Sequence, residues 1–119
     1  MVKVEIPLRL PSLNEYTDAC RGNRYLGAKM KHQAETHILW YMRGLKRFDK
    51  PVVIHFVWQE ENKKRDPDNI CFAKKFVLDA MVKGKYLQND NRKHVKAFTD
   101  DFTDGSETKV TLFIEELEE

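Results

Sequence analysis

Hydrophobic residues at the start of the chain alternate with polar ones. Val2, Val4, Ile6 and Leu8 fall on one side, Lys3, Glu5 and Pro7 on the other. That period of two predicts a half-buried strand, and the proline places it at a sheet edge. The segment PSLNEYTDACRGNRYLG, residues 11–27, mixes turn formers with cations and shows no period, so a loop is expected. From Ala28 to Phe48 the apolar positions Ala34, Ile38, Tyr41, Leu45 and Phe48 recur at helical spacing. PVVIHFVW, residues 51–58, is apolar at nearly every position, which predicts a central strand buried on both faces. A second helix is expected from the DPDN stretch at 66–69 to about Lys83, with Ile70, Ala73, Val77 and Met81 inward. Two further strands, HVKAFT and ETKVTLFIEE, are expected to pair antiparallel across DDFTDGS. The order β-α-β-α-β-β predicts an α+β fold, a two-layer sandwich of two helices on a mixed β-sheet.

The chain has 119 residues, the size of one domain, and the reading is a single domain over residues 1–119. No run reaches the roughly 18 apolar residues of a membrane helix. The N-terminus lacks the apolar stretch of a signal peptide. A cytoplasmic protein with no membrane partner is therefore expected. Cys20 and Cys71 belong to no CxxC and are read as reduced thiols.

The net charge of +2 hides an asymmetry. Residues 1–96 hold 20 Lys and Arg against 11 acids, whereas residues 97–119 hold 1 against 8. A basic body with an acidic end suits a polyanion bound on one face.

The candidate chemistry lies in KKRDPDNI, residues 63–70. Pro67 fits the first position of a helix, which makes Asp66 the N-cap and puts Asp68 in the first turn. A capped helix start accounts for that much. Three cations precede the acids, however, and Lys75 and Asp79 stand one turn apart, off the apolar stripe. Asp90 follows a chain reversal and can return towards the helix start only if the next strand runs beside strand 51–58. Hard carboxylate oxygens suit Mg²⁺, and a nearby lysine offsets charge on a scissile phosphate. Asp66, Asp68 and Asp90 as ligands with Lys75 as electrostatic helper form a complete nuclease site. Asp79 either joins the ligands or orients Lys75.

Other motifs fail. DPDNIC has Ile70 and Cys71 where an EF-hand needs an oxygen ligand and glycine. HExxH, a Walker loop and GxSxG are absent. His55 reads as a core histidine, and Trp40, Trp58 and the phenylalanines fit the core better than a base-stacking platform.

KKRDPDNICFAKKFVLDAMVKGKYLQND resembles the signature of RusA-type Holliday junction resolvases, including phage and prophage members. The matching residues are Arg65, Asp66, Asp68 and Asn69, then Lys75, Asp79 and Ala80, then Asp90. PSLNEY, residues 11–16, resembles the family's P-S-x-N-x-Y segment. Here the stretch from Asn69 to Lys75 is longer than in the family, so Lys74 or Lys75 takes the catalytic lysine's place. Lys75 keeps the spacing to Asp79. The family's acidic pair is Asn89–Asp90 here. The resemblance implies a homodimeric endodeoxyribonuclease that uses Mg²⁺ or Mn²⁺ to nick opposing strands of four-way DNA junctions in recombination and repair. DNA phosphate contacts are expected from Arg21, Arg24, Lys29, Lys31, Lys63, Lys64, Arg65 and Lys74, with Lys83 and Lys85 beyond the helix. Two rivals stand beside this reading. One is a non-catalytic branched-DNA-binding protein that keeps the fold. The other is a phage-derived protein–protein adaptor in which DPDN only starts a helix.

Overall fold

The computed structural model describes residues 1–118. The fold is α+β, with helices packed on a four-stranded mixed sheet. Its elements are β1 (Val2–Ile6), α1 (Leu13–Gly22), α2 (Arg24–Met42), β2 (Val52–Glu60), α3 (Pro67–Cys71), α4 (Lys74–Lys83), β3 (Val95–Asp104) and β4 (Lys109–Glu116). The sheet order is β1-β4-β2-β3. β4 is antiparallel to both β1 and β2, and β3 runs parallel to β2. β1 is an edge strand, as its proline-terminated pattern predicts.

Four expectations about the helices are corrected. Residues 11–27 hold a helix, because Ser12 and Glu15 form a capping box that starts α1. Asn23 then caps α2, its side chain accepting from Tyr25 N at 2.8 Å, so that helix begins before Ala28. It also stops at Met42, where Gly44 at φ 86° turns the chain, and Phe48 reaches the core from beyond the helix. The expected helix over 66–83 is two, broken at Phe72 and Ala73.

The last two strands do not pair with each other. β4 lies between β1 and β2, and the chain from β2 through α3 and α4 returns to set β3 beside β2 in parallel. Nor is β2 buried on both faces. Val52, Ile54, Phe56 and Trp58 are buried against the helices, while Val53, His55 and Val57 are only half-buried. His55 is therefore no core histidine: its Nδ1 lies 2.6 Å from Thr99 Oγ1 on the other face.

The core joins the inner face of the sheet to α2 and α4. Ile38 and Met42 from α2, Phe76, Val77 and Met81 from α4, and Ile6, Leu112 and Ile114 from the sheet are almost wholly buried. The predicted inward row Ile70, Ala73, Val77 and Met81 is buried as expected. Trp40, Phe98 and Phe102 are exposed instead of central. Trp40 lies under the Arg43 guanidinium, 3.9 Å from its ring centre. Gly27 lets α1 and α2 approach closely, since a Cβ there would stand 2.4 Å from Cys20 Sγ. Cys20 and Cys71 are free thiols. Among the described residues no helix is long and apolar enough to cross a membrane.

Candidate functional site

The loop that leaves β2 is pinned by one side chain. Arg65 donates from Nε and Nη2 to the two Glu60 oxygens, at 2.9 and 2.7 Å, and from Nη1 to the Leu10 carbonyl at 2.9 Å. The two side chains are only 12% and 11% exposed, so little water competes with the contact. Arg65, expected on DNA phosphate, thus has three of its donors engaged inside the protein.

The next residue starts α3 as the proline predicts. Asp66 is the N-cap, and its carbonyl accepts from Ile70 N at 3.1 Å. Its carboxylate makes no capping hydrogen bond. Asp68 is exposed in the first turn. Asn69 turns the other way, and its Oδ1 accepts from the backbone N–H of Asn14 at 2.9 Å. Tyr16 packs on Phe72 and edge-on to Phe76. The PSLNEY and DPDN segments, far apart in sequence, are therefore in direct contact.

A groove of about 280 Å³ runs beside this start, lined by Glu60, Lys63, Asp66, Ile70, Phe102 and Asp104 among others. Lys63 reaches Asp104 at 3.1 Å with both side chains largely in water, a contact of small energetic weight. Lys64 is exposed and enters no ion pair among the described residues. Lys74 turns to the sheet, pairing with Asp100 over the Phe56 and Phe98 rings. Trp58 Nε1 donates to the same Asp100 at 2.8 Å.

Lys75 points elsewhere, to Asp79 at 3.3 Å. Lys31 of α2 pairs with Asp79 Oδ2 at 2.8 Å, an oxygen that accepts no well-directed hydrogen bond among the described residues. Burial works against the charge on Asp79, yet Lys31 and Lys75 more than offset it and hold the carboxyl below its usual value. Contact with Asp79 in turn raises Lys31. Glu35, 2% exposed, lies beneath, with Lys83 on Oε1 and no hydrogen bond to Oε2. Sequence reasoning passed over Glu35. Its signal was an acid next to Ala34 and three residues from Ile38, at the border of the apolar stripe. Asp90 lines a shallow depression with Lys31, Lys75, Asp79 and Lys83. Arg21, Arg24 and Lys29 are exposed around the α1–α2 corner.

The chain thus brings Asp66 and Asp68 together at the start of α3 and gathers Lys75, Asp79 and Asp90 along α4. It does not put all three proposed ligands in one depression. The loops carrying Asp66 and Asp90 leave the parallel pair β2–β3 from opposite ends, because one follows β2 and the other precedes β3. Among the described residues, no three acid, His or Cys side chains stand together as a cation cage. The donor chemistry nevertheless fits Mg²⁺, which keeps several waters and needs only one or two protein carboxylates. Asp66, Asp68 and Asp90 all lack side-chain partners among the described residues, whereas Glu35, Glu60, Asp79 and Asp100 are each paired with a cation.

No protein-family model matches the chain, and a search of curated proteins finds no match either.

Two outcomes test this geometry. Arg65→Ala leaves Glu60 charged and nearly buried without its partner, at a cost of about 3–5 kcal/mol in urea unfolding, whereas exchanging both residues for apolar ones costs less. The second concerns pH. A carboxyl held low in the folded protein contributes stability above its unfolded value of about 3.9, which is lost as pH falls through the folded value. Lys31→Met should therefore flatten the fall in stability between about pH 5 and pH 2 relative to the parent, read from urea midpoints.

Proposed function

We propose that the protein is a Mg²⁺-dependent, structure-specific DNA endonuclease of the RusA junction-resolvase type, which nicks four-way junctions in recombination and repair and works as a homodimer. The observation that carries this reading is the contact between two sequence-distant motif segments, made by Asn14 with Asn69, beside which Arg65 holds the carbonyl of Leu10, the residue before the first segment. Around that contact, Asp66 and Asp68 present unpaired carboxylates to solvent in a setting rich in lysine.

Each residue has a role in this reading. Asp66 and Asp68 would hold the ion, with Mn²⁺ able to replace Mg²⁺, and Asp90, at the opposite end of the β2–β3 pair in its own chain, would join them only from the second copy of the dimer. When bound, the ion supplies charge stabilisation for in-line displacement at phosphorus and lowers the pKa of a water. Lys75 supports charge at the scissile phosphate, and Asp79 orients it through the 3.3 Å contact. Lys74 pairs with Asp100 across the sheet, which favours Lys75 for the catalytic place. Lys63, Lys64, Arg21, Arg24 and Lys29 stand exposed for phosphate contacts that position DNA without reading its sequence. Lys31 contributes through Asp79, and Arg65 by fixing the loop.

A synthetic four-way junction tests the proposal. Paired nicks on opposite arms should form with Mg²⁺ and not without it. Asp66→Asn should abolish nicking by about 100-fold or more while leaving junction binding intact, and binding should weaken steeply as salt rises. Binding without nicking in the parent would favour the non-catalytic junction binder. No binding even at low salt would favour the adaptor.

A further inference from the structure

β3 leaves one side of the sheet open. Among the described residues its ten positions pair with β2 alone, so the outer edge presents backbone N–H and C=O groups without a strand partner. Phe98 and Phe102, each 42% exposed, lie on the strand's helix-facing side together with Asp100. Phe98 meets the buried Phe56 ring at 5.9 Å, and Asp100 is held by Lys74 and Trp58. The apolar surface under the helices therefore continues past the last strand. Nucleic acid is a poor occupant for it, because Asp100, Asp101 and Asp104 make the strand acidic.

We infer that β3 is the surface through which two copies of the chain associate, antiparallel about a two-fold axis at Asp100, so that four strands become eight. The sequence is self-complementary in that register. Phe98 of each copy faces Phe102 of the other and Thr99 faces Asp101, while Lys96, at the bulge where the β2–β3 register shifts, comes beside Asp104. Residues directly opposite share a face and interact, and an isologous contact makes each pair occur twice. A slip of two residues either way sets Phe98 against Asp100 or Asp104 and loses the charge match. The cost is Asp100 meeting its own copy, which Lys74 and Trp58 offset on each side, and Asp104 sharing its charge with Lys63.

The pairing bears on the groove at Asp66, which Phe102, Thr103 and Asp104 line. Antiparallel strands lay the carboxyl end of one β3 beside the amino end of the other. The segment carrying Asp90 into β3 of the second copy then borders the Asp66 groove of the first, a consequence that rests on the nuclease reading.

Sedimentation of the full chain tests the pairing. A mass of two chains is expected. Lys96→Asp or Asp104→Lys alone should weaken association by about tenfold or more, since like charges then face each other twice. Both changes in one chain should restore association, and Phe98→Ser with Phe102→Ser should yield a monomer with an unchanged circular-dichroism spectrum. A monomer at every concentration, or a dimer indifferent to all of these changes, overturns the pairing. Asp66→Asn and Asp90→Asn chains, each inactive alone, test the shared groove. Mixed dimers should regain nicking, because one groove then carries neither change, and silence in the mixture overturns the sharing. A dimer of this register whose parent form never cuts DNA leaves the pairing standing and removes the nuclease reading instead.

Discussion

The ion pair between Arg65 and Glu60 is the constraint on which the geometry around Asp66 depends. Glu60 ends β2, Leu10 lies on the chain leaving β1, and Arg65 bridges both while standing directly before Asp66. Two charges at this depth lose much of their hydration, and only good geometry offsets that cost. Here the guanidinium meets the carboxylate in two-pronged fashion and donates a third hydrogen bond to a carbonyl. The result is a rigid joint of three segments. Pro67 then fixes the direction in which α3 starts, and Asn69 fastens that helix to α1 through Asn14. What remains free at the joint is the pair of carboxylates on Asp66 and Asp68.

Charges elsewhere divide into two kinds. Along α4 and α2, Lys31, Lys75 and Lys83 are each committed to Asp79 or Glu35. Among the described residues one oxygen of each acid is buried without a hydrogen bond, and Lys31 and Lys75 hold the Asp79 carboxyl below its usual value. This lattice orients lysines towards one side of the molecule. Asp66, Asp68 and Asp90 belong to the other kind: acids whose carboxylates have no side-chain partner among the described residues. Carboxylates left unpaired suit a cation arriving from solution, and exposed lysines beside them suit a phosphate.

Much of this was legible in the residues, and the misses have physical reasons. The edge strand, the inner row of α4 and the helix start at Pro67 follow from local pattern alone. The capping box of Ser12 and Glu15 was equally local but lay in a segment without apolar period, where cations concealed a helix packed by Gly27 against Cys20. The β4 position was not local at all. Strand pairing is a non-local choice, and the polar run at 100–104 hid the fact that β3 continues through it. Arg65 read as a phosphate contact because its sequence neighbours are cations. Its true partner, Glu60, lies one loop back and became visible only when the chain folded. The role of Glu35 was concealed in the same way, since its burial depends on Lys83 from another helix.

The central claim is that Asp66, Asp68 and Asp90 act on one divalent cation, whichever copies of the chain supply them. Titrating Mg²⁺ into carbon-13-labelled protein and following the aspartate carboxyl resonances tests it without any substrate. The account predicts that these three respond together along a single binding curve, while Asp79 and Asp100, already committed to lysines, stay fixed. A silent Asp90, or one that titrates on a curve of its own, would contradict it.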